Sequence, residues 1–138
     1  IEEFSTSNFV GIDNTNKRYI TPSSPSVLPS ITNKSLMQIA TDEGYTVEAR
    51  DVKLDELESF DEVLAVGTAV VVTPVGSATI LDDCEKSTKG DENNIVYEFG
   101  DDHHDELGET TKTLYKIVRE IQNGERDDIH GWNMKVDY

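Results

Sequence analysis

The apolar positions change period several times along the chain, and each change marks an element. From Glu2 to Ile12 they alternate loosely around Phe4, Thr6, Phe9 and Val10, a strand pattern that breaks at the turn-rich Asp13-Asn14-Thr15-Asn16. Arg18 to Thr21 fits a short returning strand. Pro22, Pro25 and Pro29 then keep the backbone extended, so a helix can begin only after Pro29. Leu36, Ile39 and Ala40 fall at helical spacing between Ile31 and Glu43, and Gly44 stands where a left-handed cap is needed. Thr46 to Val52 alternates as a half-buried strand, and Leu54, Leu57 and Phe60 mark a short helix. Glu62 to Val66 and Ala69 to Val75 are nearly continuous β-branched runs on either side of Gly67-Thr68, the pattern of two central strands joined by a turn. Ile95 to Phe99 predicts another strand. Thr110 to Asn123 predicts a helix with Leu114, Ile117, Val118 and Ile121 on one face and Gly124 as its stop. Trp132 and Val136 are large enough to pin the C-terminal tail to the body.

The 138 residues suffice for one domain, 1–138, of mixed α/β class. The stretch at about 77–94 is polar and acidic, and an exposed loop is expected there. With 28 acidic against 12 basic side chains the formal charge is −16, which repels phosphodiester backbones and anionic membrane surfaces, so neither nucleic acid nor membrane is an expected partner. One cysteine, Cys84, cannot form an internal disulfide, and no apolar run is long enough to span a bilayer; a cytoplasmic location is the expectation. The opening Ile1-Glu2-Glu3-Phe4 has neither an initiator methionine nor a leader pattern and reads as the interior of a longer polypeptide.

Two segments carry candidate chemistry. Leu28-Pro29-Ser30-Ile31-Thr32 delivers the chain into a helix start, whose unpaired N–H groups and positive dipole end favour an anion. Gly67-Thr68-Ala69, between two strands, adds a hydroxyl and further amides; together the segments suggest a cradle for a phosphorylated cofactor. Each has a plainer reading, a helix N-cap for the first and a strand bend for the second. Glu3 alone would be a solvated carboxylate. No metal is expected. His103-His104-Asp105 has adjacent histidines that cannot share one face and lacks a third ligand at natural spacing. Cys84 lacks the basic surroundings of a reactive thiolate.

The motifs occur in an order that resembles the C-terminal half of branched-chain amino acid aminotransferases, fold-type IV enzymes that use pyridoxal 5'-phosphate. They are Glu3-Phe4-Ser5-Thr6-Ser7-Asn8-Phe9, Thr21-Pro22, Leu28-Pro29-Ser30-Ile31-Thr32, Gly67-Thr68-Ala69 with Thr73-Pro74-Val75, and the ending Ile121-Gln122-Asn123-Gly124 with Gly131-Trp132. The resemblance implies the larger, C-terminal domain of that fold, with a mixed sheet and helices around it. It assigns Glu3, Ile31, Thr32 and Thr68 to the cofactor and Thr6, Thr68 and Ala69 to the substrate. It further implies transfer of an amino group between leucine, isoleucine or valine and 2-oxoglutarate, in a homodimer. The Schiff-base lysine of that family precedes the Glu3 motif, so no catalytic residue is assigned in this chain and the chain alone is expected to be inactive. Lys17 follows the motif in a turn.

Departures from the family pattern are Val10 in place of an aromatic, Tyr19 in place of an aliphatic and Asn33 in place of Arg or Lys. Val70 and Thr73 stand where mammalian members carry a Cys-x-x-Cys pair, which removes that thiol switch. D-amino acid aminotransferases and aminodeoxychorismate lyases share the Glu and phosphate motifs and remain alternatives, as does a non-catalytic domain of the same fold.

Overall fold

The computed structural model describes residues 1–80, 94–100 and 107–137. Cys84, most of the acidic segment and His103-His104-Asp105 lie outside them.

The order is β1 (Glu3–Phe4), β2 (Ser7–Asp13), β3 (Arg18–Pro22), α1 (Ile31–Asp42), β4 (Thr46–Arg50), a 3-10 helix (Leu54–Ser59), β5 (Glu62–Gly67), β6 (Val71–Pro74), β7 (Ser77–Ile80), β8 (Ile95–Glu98) and α2 (Glu109–Asn123). One sheet runs β4-β3-β2-β5-β6, with β1 folded back on β2. Only β3 and β4 in it are parallel, because α1 carries the chain across between them; the remaining pairs are antiparallel. This is a mixed α/β fold.

Period-two alternation along the central strands sends side chains to two cores. Val10, Ile12, Tyr19, Leu64 and Val66 pack under α1 and α2, against Leu36, Ile39, Leu114, Ile117, Val118 and Ile121. Phe9, Ile20 and Val63 face the other way, into a second core with Val52, Leu57, Phe60 and Phe99. Covering both faces explains why Glu62 to Val66, which forms β5, reads as a nearly unbroken apolar run. Gly11 belongs to the second face: a Cβ there would lie 2.7 Å from the Phe60 ring, so the aromatic rests directly on backbone.

Both helix predictions hold within a residue at each end. Gly44 (φ 85°) and Gly124 (φ 72°) take the left-handed conformations anticipated for them. Five expectations need correction. Of the two runs expected as central strands, only Glu62 to Val66 is central; the second gives β6, which stands at the sheet edge beside β5. The first strand is a hairpin, with Ser5-Thr6 as its turn, so Thr6 is an exposed turn residue. Ser77–Ile80, expected to begin the acidic loop, instead pairs as β7 with β8, a local alternation of half-buried Ala78 and Ile80 that the polar context obscured. Ala69 sits in the β5–β6 turn and not in β6. Trp132 and Val136 do not bury the tail; they are 38% and 66% exposed. Polar contacts hold the tail instead: Asn133 Nδ2 donates to Ile121 O (2.5 Å), and His130 Nε2 bonds Asp42 Oδ2 (2.7 Å) while its ring stacks on Trp132.

Candidate functional site

Strand register brings the two motif segments to one end of the sheet. Glu3 lies opposite Asn8, and Asn8 lies opposite Val66. The β1–β2 turn, the C-terminal end of β3 and the end of β5 therefore share an edge. Gly67 is close enough to Ser7 that a Cβ on it would stand 3.9 Å from Ser7 Cβ. Thr6, Gly67, Thr68 and Ala69 thus cluster at that edge.

Asn8 ties in the helix entry. Its Nδ2 donates to Leu28 O (3.0 Å) and to Glu3 Oε2 (3.3 Å), and Leu28 N donates to the same Oε2 (3.2 Å). Glu3 is thereby held by β2 on one side and by the loop before α1 on the other. Both bonds use Oε2, and Oε1 has no partner among the described residues. The neighbouring Glu2 fastens the same loop farther back, accepting from Ser24 Oγ (2.9 Å) and Ser26 Oγ.

At α1 the N-cap is Ser30, not Thr32: its Oγ accepts from Asn33 N (3.0 Å), and its carbonyl from Lys34 N (3.0 Å). The Asn33 bond satisfies one of the orphan donors of the first turn, and the Lys34 bond is the first regular i→i−4 bond of the helix. Ile31 N–H and Thr32 N–H have no partner among the described residues, and they are the two amides assigned to the phosphate by resemblance. Ile31 is 78% exposed, so the opening is accessible. In a chain of charge −16 the first turn of α1 contains no acid, whereas the 3-10 helix carries Asp55 and Glu56 and α2 carries Glu109 in theirs. The dipole end of α1 is thus left unneutralised, and an anion is the ligand it favours.

The β5–β6 turn is strained. Val71 has φ 69°, and Val72 N donates to Val70 O (2.9 Å) across it, a γ-turn that a β-branched residue rarely adopts. Buried contacts of Val71 hold it there, and the result is an exposed Thr68-Ala69 presented at the sheet edge.

Sequence reasoning missed what lies beneath the cradle. Tyr19 is fully buried, and its hydroxyl donates to Asn33 Oδ1 (2.7 Å). Asn33 Nδ2 donates to Thr21 Oγ1 (3.0 Å), which donates to Phe9 O (3.0 Å). Burial pushes the Tyr19 phenol far above its ordinary value, so it remains a donor at any working pH. The one signal available was that Tyr19 and Asn33 both depart from the family pattern.

Among the described residues no group of three or more His, Cys, Asp or Glu is placed to hold a metal ion, and no helix is long and apolar enough to cross a membrane.

A mixed sheet flanked by helices, with a carboxylate and a helix start whose first two amides are open at one edge, defines a class of mixed α/β domain with an anion-favouring end. The amino-transferase class IV family model matches residues 1–78, and the chain belongs to that family. It is 39% identical over 138 residues to the branched-chain-amino-acid aminotransferase of Haemophilus influenzae, covering 99% of this chain and 36% of that protein. The branched-chain amino acid aminotransferase of Escherichia coli superposes with a TM-score of 0.73 at 25% identity, over 99% of this chain and 38% of that one. An aminotransferase from Brucella abortus bound to the co-factor PLP gives a TM-score of 0.63 at 18% identity, over 88% and 35%, a likeness of fold. The chain spans a little over a third of the length of these relatives.

Proposed function

We propose that this chain is the cofactor-binding part of a branched-chain amino acid aminotransferase, which transfers an amino group between leucine, isoleucine or valine and 2-oxoglutarate with the help of pyridoxal 5'-phosphate. The observation that carries the reading is the meeting, at one sheet edge, of Glu3 and the start of α1, with Glu3 Oε1 and two first-turn amides unpaired among the described residues. Sequence identity of 39% to a branched-chain enzyme supports the substrate class.

The residues fit the cofactor by donor type. Ile31 and Thr32 N–H, with the hydroxyls of Thr32 and Thr68, offer neutral donors to a phosphate at a first turn that carries no acid. Glu3, oriented through Oε2 by Asn8 and Leu28, presents Oε1 to the pyridine nitrogen and keeps a proton on it. The bound cofactor supplies an electron-accepting ring, which protein side chains lack. Ala69 N–H, on the exposed turn, receives the substrate carboxylate, and Thr6 lines the same edge.

Resemblance places the lysine that moves the proton before the Glu3 motif. Lys17 does not substitute for it, since it lies in the β2–β3 turn beyond Asp13, at the end of β2 away from Glu3. The isolated chain is therefore expected to bind cofactor without turning over, and the full-length protein to act as a cytoplasmic homodimer. Two assays test this. Titration with pyridoxal 5'-phosphate should give saturable binding by the chain, and amino transfer from L-leucine to 2-oxoglutarate should appear with the full-length protein alone. Turnover by the 138-residue chain above a heat-killed control overturns the division of labour, and full-length protein preferring D-alanine overturns the substrate assignment.

A further inference from the structure

We propose that Tyr19 and Asn33 act together as a positioning pair that aims the first turn of α1 at the cofactor phosphate, an inference that rests on the reading of that turn as the phosphate holder. Asn33 is the third residue of α1 and follows directly on the two open amides. It is clamped from both sides. Ser30 Oγ takes its backbone N–H at 3.0 Å, and its side chain turns inward to Tyr19 and Thr21, at 2.7 Å and 3.0 Å. Thr21 passes the link to the carbonyl of Phe9 in β2. A buried chain of hydrogen bonds thus runs from a central strand to the helix start, and it sets how the turn is rotated and how far it stands from the sheet.

The two residues need each other. Tyr19 is 0% exposed and Asn33 8%, so a phenol without the amide, or the amide without the phenol, leaves a buried polar group unpaired. Asn33 is neutral and its side chain turns inward, so position 33 brings no cation to the phosphate. Affinity then depends on where neutral amides point, and hydrogen-bond strength falls steeply with misalignment. The pair touches neither cofactor nor substrate and works only through the turn it holds.

The test uses the full-length protein, with Kd for pyridoxal 5'-phosphate and for pyridoxal, which lacks the phosphate, measured beside Tm. Tyr19→Phe should weaken pyridoxal 5'-phosphate about tenfold and leave pyridoxal unchanged, the loss of one hydrogen bond's worth of alignment. The double variant Tyr19→Phe with Asn33→Leu replaces both buried polar groups by apolar ones; it should recover Tm relative to Tyr19→Phe, yet still bind the phosphorylated form weakly. A structural role alone would move both ligands together, or would restore phosphate affinity along with Tm. Either outcome, or unchanged affinity in Tyr19→Phe, overturns the positioning pair. Thr68→Val, measured in parallel, separates the two failures. If it weakens pyridoxal 5'-phosphate while Tyr19→Phe does not, only the pair is lost; if the unaltered protein ignores the cofactor, the reading of the site falls and the pair with it.

Discussion

Removing the carboxylate of Glu62 should destabilise the protein by about 2–4 kcal/mol, more than any surface change. Glu62 opens β5 yet is only 6% exposed, because its side chain reaches across to the start of α2. Oε1 accepts from Thr110 N (3.1 Å) and Asn14 Nδ2 (3.0 Å); Oε2 accepts from Thr111 N (3.0 Å) and from the Thr111 hydroxyl. Gly108, the N-cap residue, has no side chain to do this, and it must have none, since a Cβ there would lie 2.1 Å from Glu62 Cδ. A strand residue thus caps a helix distant in sequence. Loss of an N-cap costs about 1 kcal/mol, and bonds to a charged group about 1.5–3 kcal/mol each; the desolvation that Glu62→Ala relieves offsets part of the sum. For a domain of this size about 1 kcal/mol moves Tm by roughly 3–5 °C, so Glu62→Ala should lower Tm by about 6–20 °C. Urea and thermal unfolding followed by circular dichroism measure it. Thr113→Ala serves as the control, since Thr113 is exposed and its hydroxyl, among the described residues, bonds just the Glu109 carbonyl of its own helix; it should stay within about 0.5 kcal/mol. A Glu62→Ala loss below about 1 kcal/mol would refute the idea that this carboxylate fastens α2 to the sheet.

Two further outcomes concern acid stability and the phosphate. Burial alone would push the Asp13 carboxyl up, but bonds from the Asn16 side chain and backbone and from Arg18 (2.6 Å) together hold it below the usual carboxylate range. A folded value below the unfolded one means that this stabilisation is present above the ordinary value of 3.8 and is lost as pH falls through the folded value. The stability gap between the unaltered protein and Asp13→Asn should therefore be constant from neutral pH down to about 4 and shrink below it; a gap that widens in acid contradicts the assignment. Thr68→Val removes one hydroxyl from an exposed turn, so pyridoxal 5'-phosphate should bind about tenfold more weakly while Tm stays within about 2 °C, and equal affinity would remove Thr68 from the phosphate site.

Local chemistry made much of this protein legible from its residues. Prolines up to Pro29 and the glycines at 44 and 124 bound both helices, because φ restrictions act within one or two residues whatever the fold around them. The unbroken apolar run at Glu62 to Val66 marked β5 as central, while the same kind of run at Ala69 to Val75 gave β6, which lies at the sheet edge. The family membership and the identity of Glu3, Ile31, Thr32, Thr68 and Ala69 as candidates also came from residues in order along the chain.

Whatever depends on groups far apart in sequence was decided by tertiary structure. The Ser5-Thr6 turn and the pairing of Ser77–Ile80 with Ile95–Glu98 rest on strand partners that no local period encodes. Glu62 reads as a strand end and acts as the cap of a helix 48 residues on; Tyr19 and Asn33 read as two unrelated departures and form one hydrogen bond under the cradle. Burial is the physical reason in each case. A polar group's partner is chosen by the neighbours that shut water out, and those neighbours exist only once the sheet and both helices have come together.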